Sequence, residues 1–175
     1  MNIKKLSVLS ILFVAASILL FTSFSCNRKH DIAVGLQAPE LEIKDEISGR
    51  KLSSGDFKNK VVFVNFWASW CPPCKEEMPS IESLYKDMAG NDKFQMITIL
   101  YRDPYQDGTG YMKQNGYTFP VYSDNNGVTA GNFGVTGVPE TYIIDKKGIL
   151  RKRVIGPAAW NSPESKNFIN SLLNE

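Results

Sequence analysis

Apolar and polar positions divide this chain into segments with different periods. Residues 61–67 read Val-Val-Phe-Val-Asn-Phe-Trp, an apolar run without alternation, which predicts a strand buried on both faces. Beyond Cys71 the apolar residues fall at Met78, Ile81, Leu84 or Tyr85, and Met88, the spacing of a helix with one covered face. Pro72 and Pro73 suit a first helical turn, where the missing N–H has no intrahelical acceptor, so the helix start is placed at Cys71. Gly90-Asn91-Asp92 interrupts the pattern, and Phe94 to Leu100, rich in Ile and Phe, predicts a second strand. Strand, helix and strand in succession imply a right-handed crossover and a parallel pair.

Shorter elements flank this unit. Leu41 and Ile43 alternate with Glu42 and Lys44 as in a half-buried strand, Ser48-Gly49-Arg50 is its turn, Leu52 continues the return, and Asp56 to Lys60 is a polar link. After Tyr101-Arg102-Asp103 a loop rich in Pro and Gly is expected, then a short helix over Tyr111 to Asn115 ended by Gly116. Phe119-Pro120-Val121-Tyr122 is a short extended piece, assigned to a sheet edge because of its proline. Asp124 to Gly127 is a turn and Val128 to Phe133 another short helix. Pro139 precedes the apolar run Thr141 to Ile144, Lys146-Lys147-Gly148 is a hairpin turn, and Ile149 to Ile155 is the returning strand. Ser162-Pro163 reads as an N-cap and first-turn proline, followed by an apolar helix face of Phe168, Ile169, Leu172 and Leu173.

The N-terminus has a different character. Lys4 and Lys5 precede 19 uncharged residues, Leu6 to Phe24, and then Ser25, Cys26, Asn27, Arg28 and Lys29, the layout of an export signal. Three mature forms fit. Cys26 can become the lipid-carrying N-terminus of a lipoprotein, although Ser23 departs from the aliphatic residue usual three positions earlier. Alternatively the apolar stretch stays as an anchor just long enough to span a bilayer, or ordinary cleavage leaves Cys26 as a free thiol. All three place the rest of the chain outside the cytoplasm, on the periplasmic side of a bacterial membrane. The expected division is residues 1–25 as signal or anchor, 26–34 as tether and 35–175 as one domain. The full chain has 175 residues, 43% of them hydrophobic, with 20 basic against 18 acidic side chains. Without Lys4 and Lys5 the charges balance. No basic block is present, which sets nucleic-acid binding aside.

The chemistry concentrates at Cys71-Pro72-Pro73-Cys74. The nucleophile of disulfide exchange is the thiolate, and the unpaired N–H groups of a helix start favour that charged form. Cys71 is therefore expected to attack. Cys74, one turn further in and less accessible, is expected to resolve the mixed disulfide. A two-residue spacer lets the sulfurs meet across one helical turn, and the two prolines stiffen it. A zinc half-site is the first alternative, but Cys26 and His30 are the remaining soft ligands and both lie in the N-terminal tail. A purely structural disulfide is the second; a ring of four residues constrains the unfolded chain little. Trp67 is read as core, Trp70 as a border of an exposed Cys71 that packs against incoming chains, and Trp160 carries no functional signal.

The run Phe66 to Lys75 resembles the active-site segment of thioredoxin-fold proteins. With Asn65 before it and Glu77 and Pro79 after it, the string is similar to the extracytoplasmic thiol-disulfide reductases of the TlpA/ResA/CcmG (DsbE) group. The resemblance implies an α/β thioredoxin-like fold: a central mixed β-sheet flanked by helices, with an N-terminal β-hairpin and a central insertion. It implies that Glu77 takes part in proton chemistry, and helical spacing lets Glu77 lie beside Cys74. A solvated carboxylate, like Glu76, is the plain alternative. Thioredoxin itself carries a buried aspartate where this chain has Asn65. A proline before a strand is ordinarily trans; the resemblance implies that the Val138–Pro139 bond is cis and faces the cysteines, with Val138 offering backbone groups to an extended substrate. Pro139-Glu140-Thr141 and Tyr101-Arg102-Asp103 are closest to the CcmG-like branch. The implied partners are exported proteins with disulfides, apocytochrome c among them, and a membrane thiol-electron donor of the DsbD/CcdA type; no cofactor or metal is expected. The rivals are a disulfide oxidase or isomerase, a thiol peroxidase, disfavoured by Ala68 where a threonine is usual, and a lipoprotein that uses the fold only to bind.

Overall fold

A computed structural model describes residues 32–124 and 126–175. Cys26, the signal or anchor and most of the tether therefore lie outside the described residues. Seven strands form one mixed sheet in the order β2-β1-β5-β4-β3-β6-β7. The strands are β1 (Glu42–Lys44), β2 (Lys51–Ser53), β3 (Val61–Trp67), β4 (Phe94–Leu100), β5 (Val121–Ser123), β6 (Glu140–Ile144) and β7 (Leu150–Ile155). The helices are α1 (Pro72–Asp87), α2 (Tyr105–Asn115), α3 (Val128–Asn132) and α4 (Pro163–Asn174). Strand β3 lies centrally, parallel to β4 and antiparallel to β6. All seven of its residues are buried, as expected of a run that must satisfy apolar neighbours on both sides of a sheet.

The two faces of β3 enter separate cores. Phe63 and Trp67 pack with Met78, Ile81 and Leu84 of α1 and with Ile169 and Leu172 of α4. Val62, Val64 and Phe66 pack on the opposite face with Ile97, Ile99, Phe133 and Tyr142. The apolar stripe of α1 thus sits against the sheet and brings its N-terminus to the carboxyl end of β3. In open α/β sheets that end is where chemistry is placed.

Three sequence expectations are corrected. The loop expected after Asp103 is the first half of α2, which begins at Tyr105. Gly108 and Gly110 lower its helix propensity, but a Cβ on Gly108 would lie 2.5 Å from Leu100 Cδ2. Glycine is there because the helix approaches β4 closely, a tertiary reason invisible to local propensity. β5 is not an edge: it pairs with β4 on one side and with β1 on the other. Pro120 stands just before the strand, where its absent N–H removes no ladder bond, and its carbonyl accepts from Thr98 Oγ1 at 2.5 Å. The polar link before β3 includes a 3-10 turn, Ser54–Phe57, which buries Phe57.

The N-terminal hairpin forms as expected, with Ile43 opposite Leu52. At α4 the Ser162 Oγ accepts from the Ser165 N–H at 3.2 Å. Ser162→Ala should cost about 1 kcal/mol, the usual worth of such a cap; a shifted urea midpoint with unchanged slope is the expected signature.

Candidate active site

Cys71 is the N-cap of α1, and Pro72 and Pro73 fill its first two positions. Neither proline has an N–H, so the first free amide of the turn is that of Cys74, which donates to Cys71 Sγ at 3.2 Å. The helix start therefore directs a donor at the sulfur, which favours negative charge there. Cys71 and Cys74 form a disulfide with Cα atoms 5.3 Å apart. In this oxidised state Cys74 is fully covered and Cys71 only 2% exposed, so the expectation of an open Cys71 is corrected. The carbonyl oxygen of Val138 lies 3.5 Å from Cys71 Sγ and is part of what covers it.

The Val138–Pro139 bond is cis, as the resemblance implies. Pro139 immediately precedes β6, and its carbonyl accepts from the Gly156 N–H at 2.9 Å, which ties this loop to the end of β7. Trp70 is 55% exposed, in keeping with a border residue, and its Nε1 donates to the Arg102 carbonyl at 3.3 Å. Asp103 accepts from the Ser69 N–H at 2.6 Å and from the Ser69 hydroxyl at 3.2 Å. Arg102 has φ +50, a left-handed backbone that bulky residues rarely adopt, and this turn carries both contacts to the active-site loop. Trp67, by contrast, is core.

Behind the disulfide lies a polar cluster that the residue pattern only partly announces. Glu77 is 2% exposed, which removes the solvated reading. Asn65 Nδ2 donates to Glu77 Oε1 at 2.9 Å and to Thr141 Oγ1 at 2.9 Å. Trp160 Nε1 donates to Glu77 Oε2 at 3.2 Å and the Ala158 N–H to the same oxygen at 3.1 Å. Burial pushes the Glu77 carboxyl above the ordinary range, while the donors from Asn65, Trp160 and Ala158 pull it back only in part. Trp160, Thr141 and Asp103 were missed. Trp160 lies 83 residues from Glu77 along the chain, and no local motif links the two; an isolated Trp ahead of a final amphipathic helix is the faint signal that existed.

The raised carboxyl has a pH consequence. The folded protein binds the Glu77 proton more tightly than the unfolded chain, so this group's contribution to stability is fully present below the unfolded value and falls as pH rises through the folded one. Glu77→Gln should remove that fall. Urea midpoints of both proteins from pH 4 to pH 8 should show the wild type losing stability relative to the variant across that interval; parallel curves would contradict the assignment.

Known proteins supply the context for this geometry. Residues 34–153 match the AhpC/TSA family. The chain is 35% identical over 138 residues to the thioredoxin-like protein YneN of Bacillus subtilis, covering 77% of this chain and 79% of that one. It is 30% identical over 149 residues to the thiol-disulfide oxidoreductase ResA of Geobacillus thermodenitrificans, covering 85% and 84%. A solved thiol:disulfide interchange protein of the thioredoxin family from Chlorobium tepidum superimposes with a TM-score of 0.63 at 28% identity, over 81% of this chain and 99% of that one. With a disulfide capping the helix that follows the central strand and a cis-proline at the head of β6, the chain belongs to the AhpC/TSA family as a thioredoxin-like thiol-disulfide oxidoreductase.

Proposed function

We propose that this oxidoreductase works as a reductant of disulfides in exported proteins. The observation that carries the reading is the Cys71–Cys74 disulfide at the start of α1, backed by the buried carboxyl of Glu77. In the dithiol form the Cys71 thiolate attacks one sulfur of a substrate disulfide, forming a mixed disulfide and expelling the other substrate sulfur as a thiolate. Cys74 then loses its proton and attacks Cys71 Sγ, which releases the second substrate thiolate. Two electrons pass to the substrate, whose two released thiolates take up their protons from solvent, and the protein is left as the Cys71–Cys74 disulfide. Glu77 receives the Cys74 proton, and the Val138–Pro139 turn offers its backbone to the substrate chain.

An oxidising compartment requires that the dithiol be regenerated, and a membrane thiol-electron donor of the DsbD/CcdA type suits that need. Apocytochrome c, whose haem-binding thiols must be reduced, is the proposed substrate. The charge pattern before Leu6 and the Ser25-Cys26 pair support export and lipid tethering at Cys26. Among the described residues no helix is long and apolar enough to cross a membrane.

The test is the reduction potential of the couple, by equilibration with dithiothreitol or glutathione. A value of roughly −270 mV or lower supports a dedicated reductant, whereas one near about −120 mV reverses the direction and makes the protein an oxidase.

A further inference from the structure

The surroundings of Glu77 pose a problem for any proton that it takes up. Oε2 faces the indole N–H of Trp160 and the backbone N–H of Ala158. Both groups donate and neither can accept. Oε1 faces the amide nitrogen of Asn65, again a donor. A neutral carboxyl needs an acceptor for its O–H, and a buried hydroxyl without one carries a substantial penalty. One contacting group can change its role. The two ends of an Asn amide fill nearly the same volume, one accepting and the other donating.

From this geometry we infer that the Asn65 side-chain amide reverses when Glu77 is protonated, so that Oδ1 replaces Nδ2 opposite Glu77 Oε1 and accepts its proton. Asn65 is thus a positioning residue for the proton step. The inference deepens the reading of Glu77 as the proton acceptor and rests on it.

Two observations make the amide a two-position element. Asn65 is fully buried, and its Oδ1 has no hydrogen-bond partner among the described residues. In either orientation one end of the amide is therefore unpaired. The other contact of the paired end is Thr141 Oγ1 at 2.9 Å, a hydroxyl that accepts from an N–H or donates to a carbonyl equally well. Thr141 therefore favours neither orientation, and the remaining contact, with Glu77 Oε1, decides. A carboxylate selects Nδ2 and a carboxylic acid selects Oδ1. An equilibrium shifts only by the difference in interaction between its two states, and here a single proton supplies that difference.

The charged groups on the packed elements are engaged elsewhere. On α1, Lys75 lies over the Tyr111 ring, Glu76 is exposed, Glu82 pairs with Lys86 and Asp87 with Lys166. On β6, Glu140 pairs with Arg153. Strand β3 and the Ala158 to Trp160 segment carry none. Reduction turns both Cys71 and Cys74 into titratable thiols, and Cys74 is the one that lies one turn before Glu77 on α1.

The experiment is nuclear magnetic resonance on the isotope-labelled full chain, oxidised and reduced, from pH 4 to pH 9. It follows the Glu77 side-chain carboxyl carbon together with the Asn65 Nδ2 group. The expected result is one shared midpoint for both signals, with cross-relaxation between the Asn65 amide protons and the Thr141 side chain present above it and lost below it. If Glu77 titrates while that cross-relaxation persists at every pH, the reversal is wrong and the Glu77 reading stands. A Glu77 carbon unmoved by both pH and reduction would overturn the two together. Glu77→Gln provides a second check: its amide keeps a carbonyl toward Trp160 and turns an N–H toward Asn65. It should hold Asn65 in the reversed orientation throughout, with the Thr141 cross-relaxation absent at all pH values; its presence would refute the inference.

Discussion

Cys71→Ser brings turnover of a disulfide substrate down to the uncatalysed background. Loss of a covalent nucleophile ordinarily costs on the order of 10⁴-fold or more, and the remaining sulfur, Cys74, is fully covered and so placed to resolve rather than to attack. Cys74→Ser should behave differently. Its remaining thiolate attacks once and then stalls, so a mixed disulfide between Cys71 and the substrate accumulates in place of released product. Mass analysis of non-reduced protein after mixing with an oxidised peptide separates the two variants. Equal trapping by both would show that the assignment of attacking and resolving thiols is wrong.

Trp160→Ala carries the largest expected loss of stability. The side chain is 1% exposed and meets Phe63 edge-on with ring centroids 4.8 Å apart, and its backbone N–H donates to Ser80 Oγ at 3.1 Å. Truncating a buried Trp to Ala typically costs about 3–5 kcal/mol, a large share of the roughly 5–15 kcal/mol that holds a domain folded. Denaturant midpoints measure it directly. Trp160→Phe isolates the polar part: most of the ring packing survives, but the Glu77 carboxylate loses one donor, so its carboxyl should titrate higher than in the wild type. An unchanged Glu77 titration in Trp160→Phe would mean that the indole N–H does not act on the carboxylate.

The active site was legible because its main parts are neighbours in the chain. A run buried on both faces, two prolines at a helix start and cysteines one turn apart are local patterns, and α1 begins where those rules place it. The hairpin of β1 and β2 and the cap of α4 follow from equally short-range signals. Pro139 needed more. Its position before a strand was readable, whereas its isomer came only from resemblance and is seen in the fold.

What the sequence by itself determined was the β3–α1 unit, with its redox pair at the helix start and a glutamate one turn beyond, because periodicity and backbone sterics act over a few residues. Tertiary structure decided the surroundings that give those residues their chemistry. Trp160 and Ala158 reach Glu77 across about 80 positions, Thr141 reaches Asn65 across 76, and Val138 reaches Cys71 across 67. It also made a helix of the glycine-containing stretch after Pro104 and placed β5 inside the sheet. Each of these depends on which surfaces meet when the two cores close over β3, and burial by distant chain segments leaves no mark in the local order of residues.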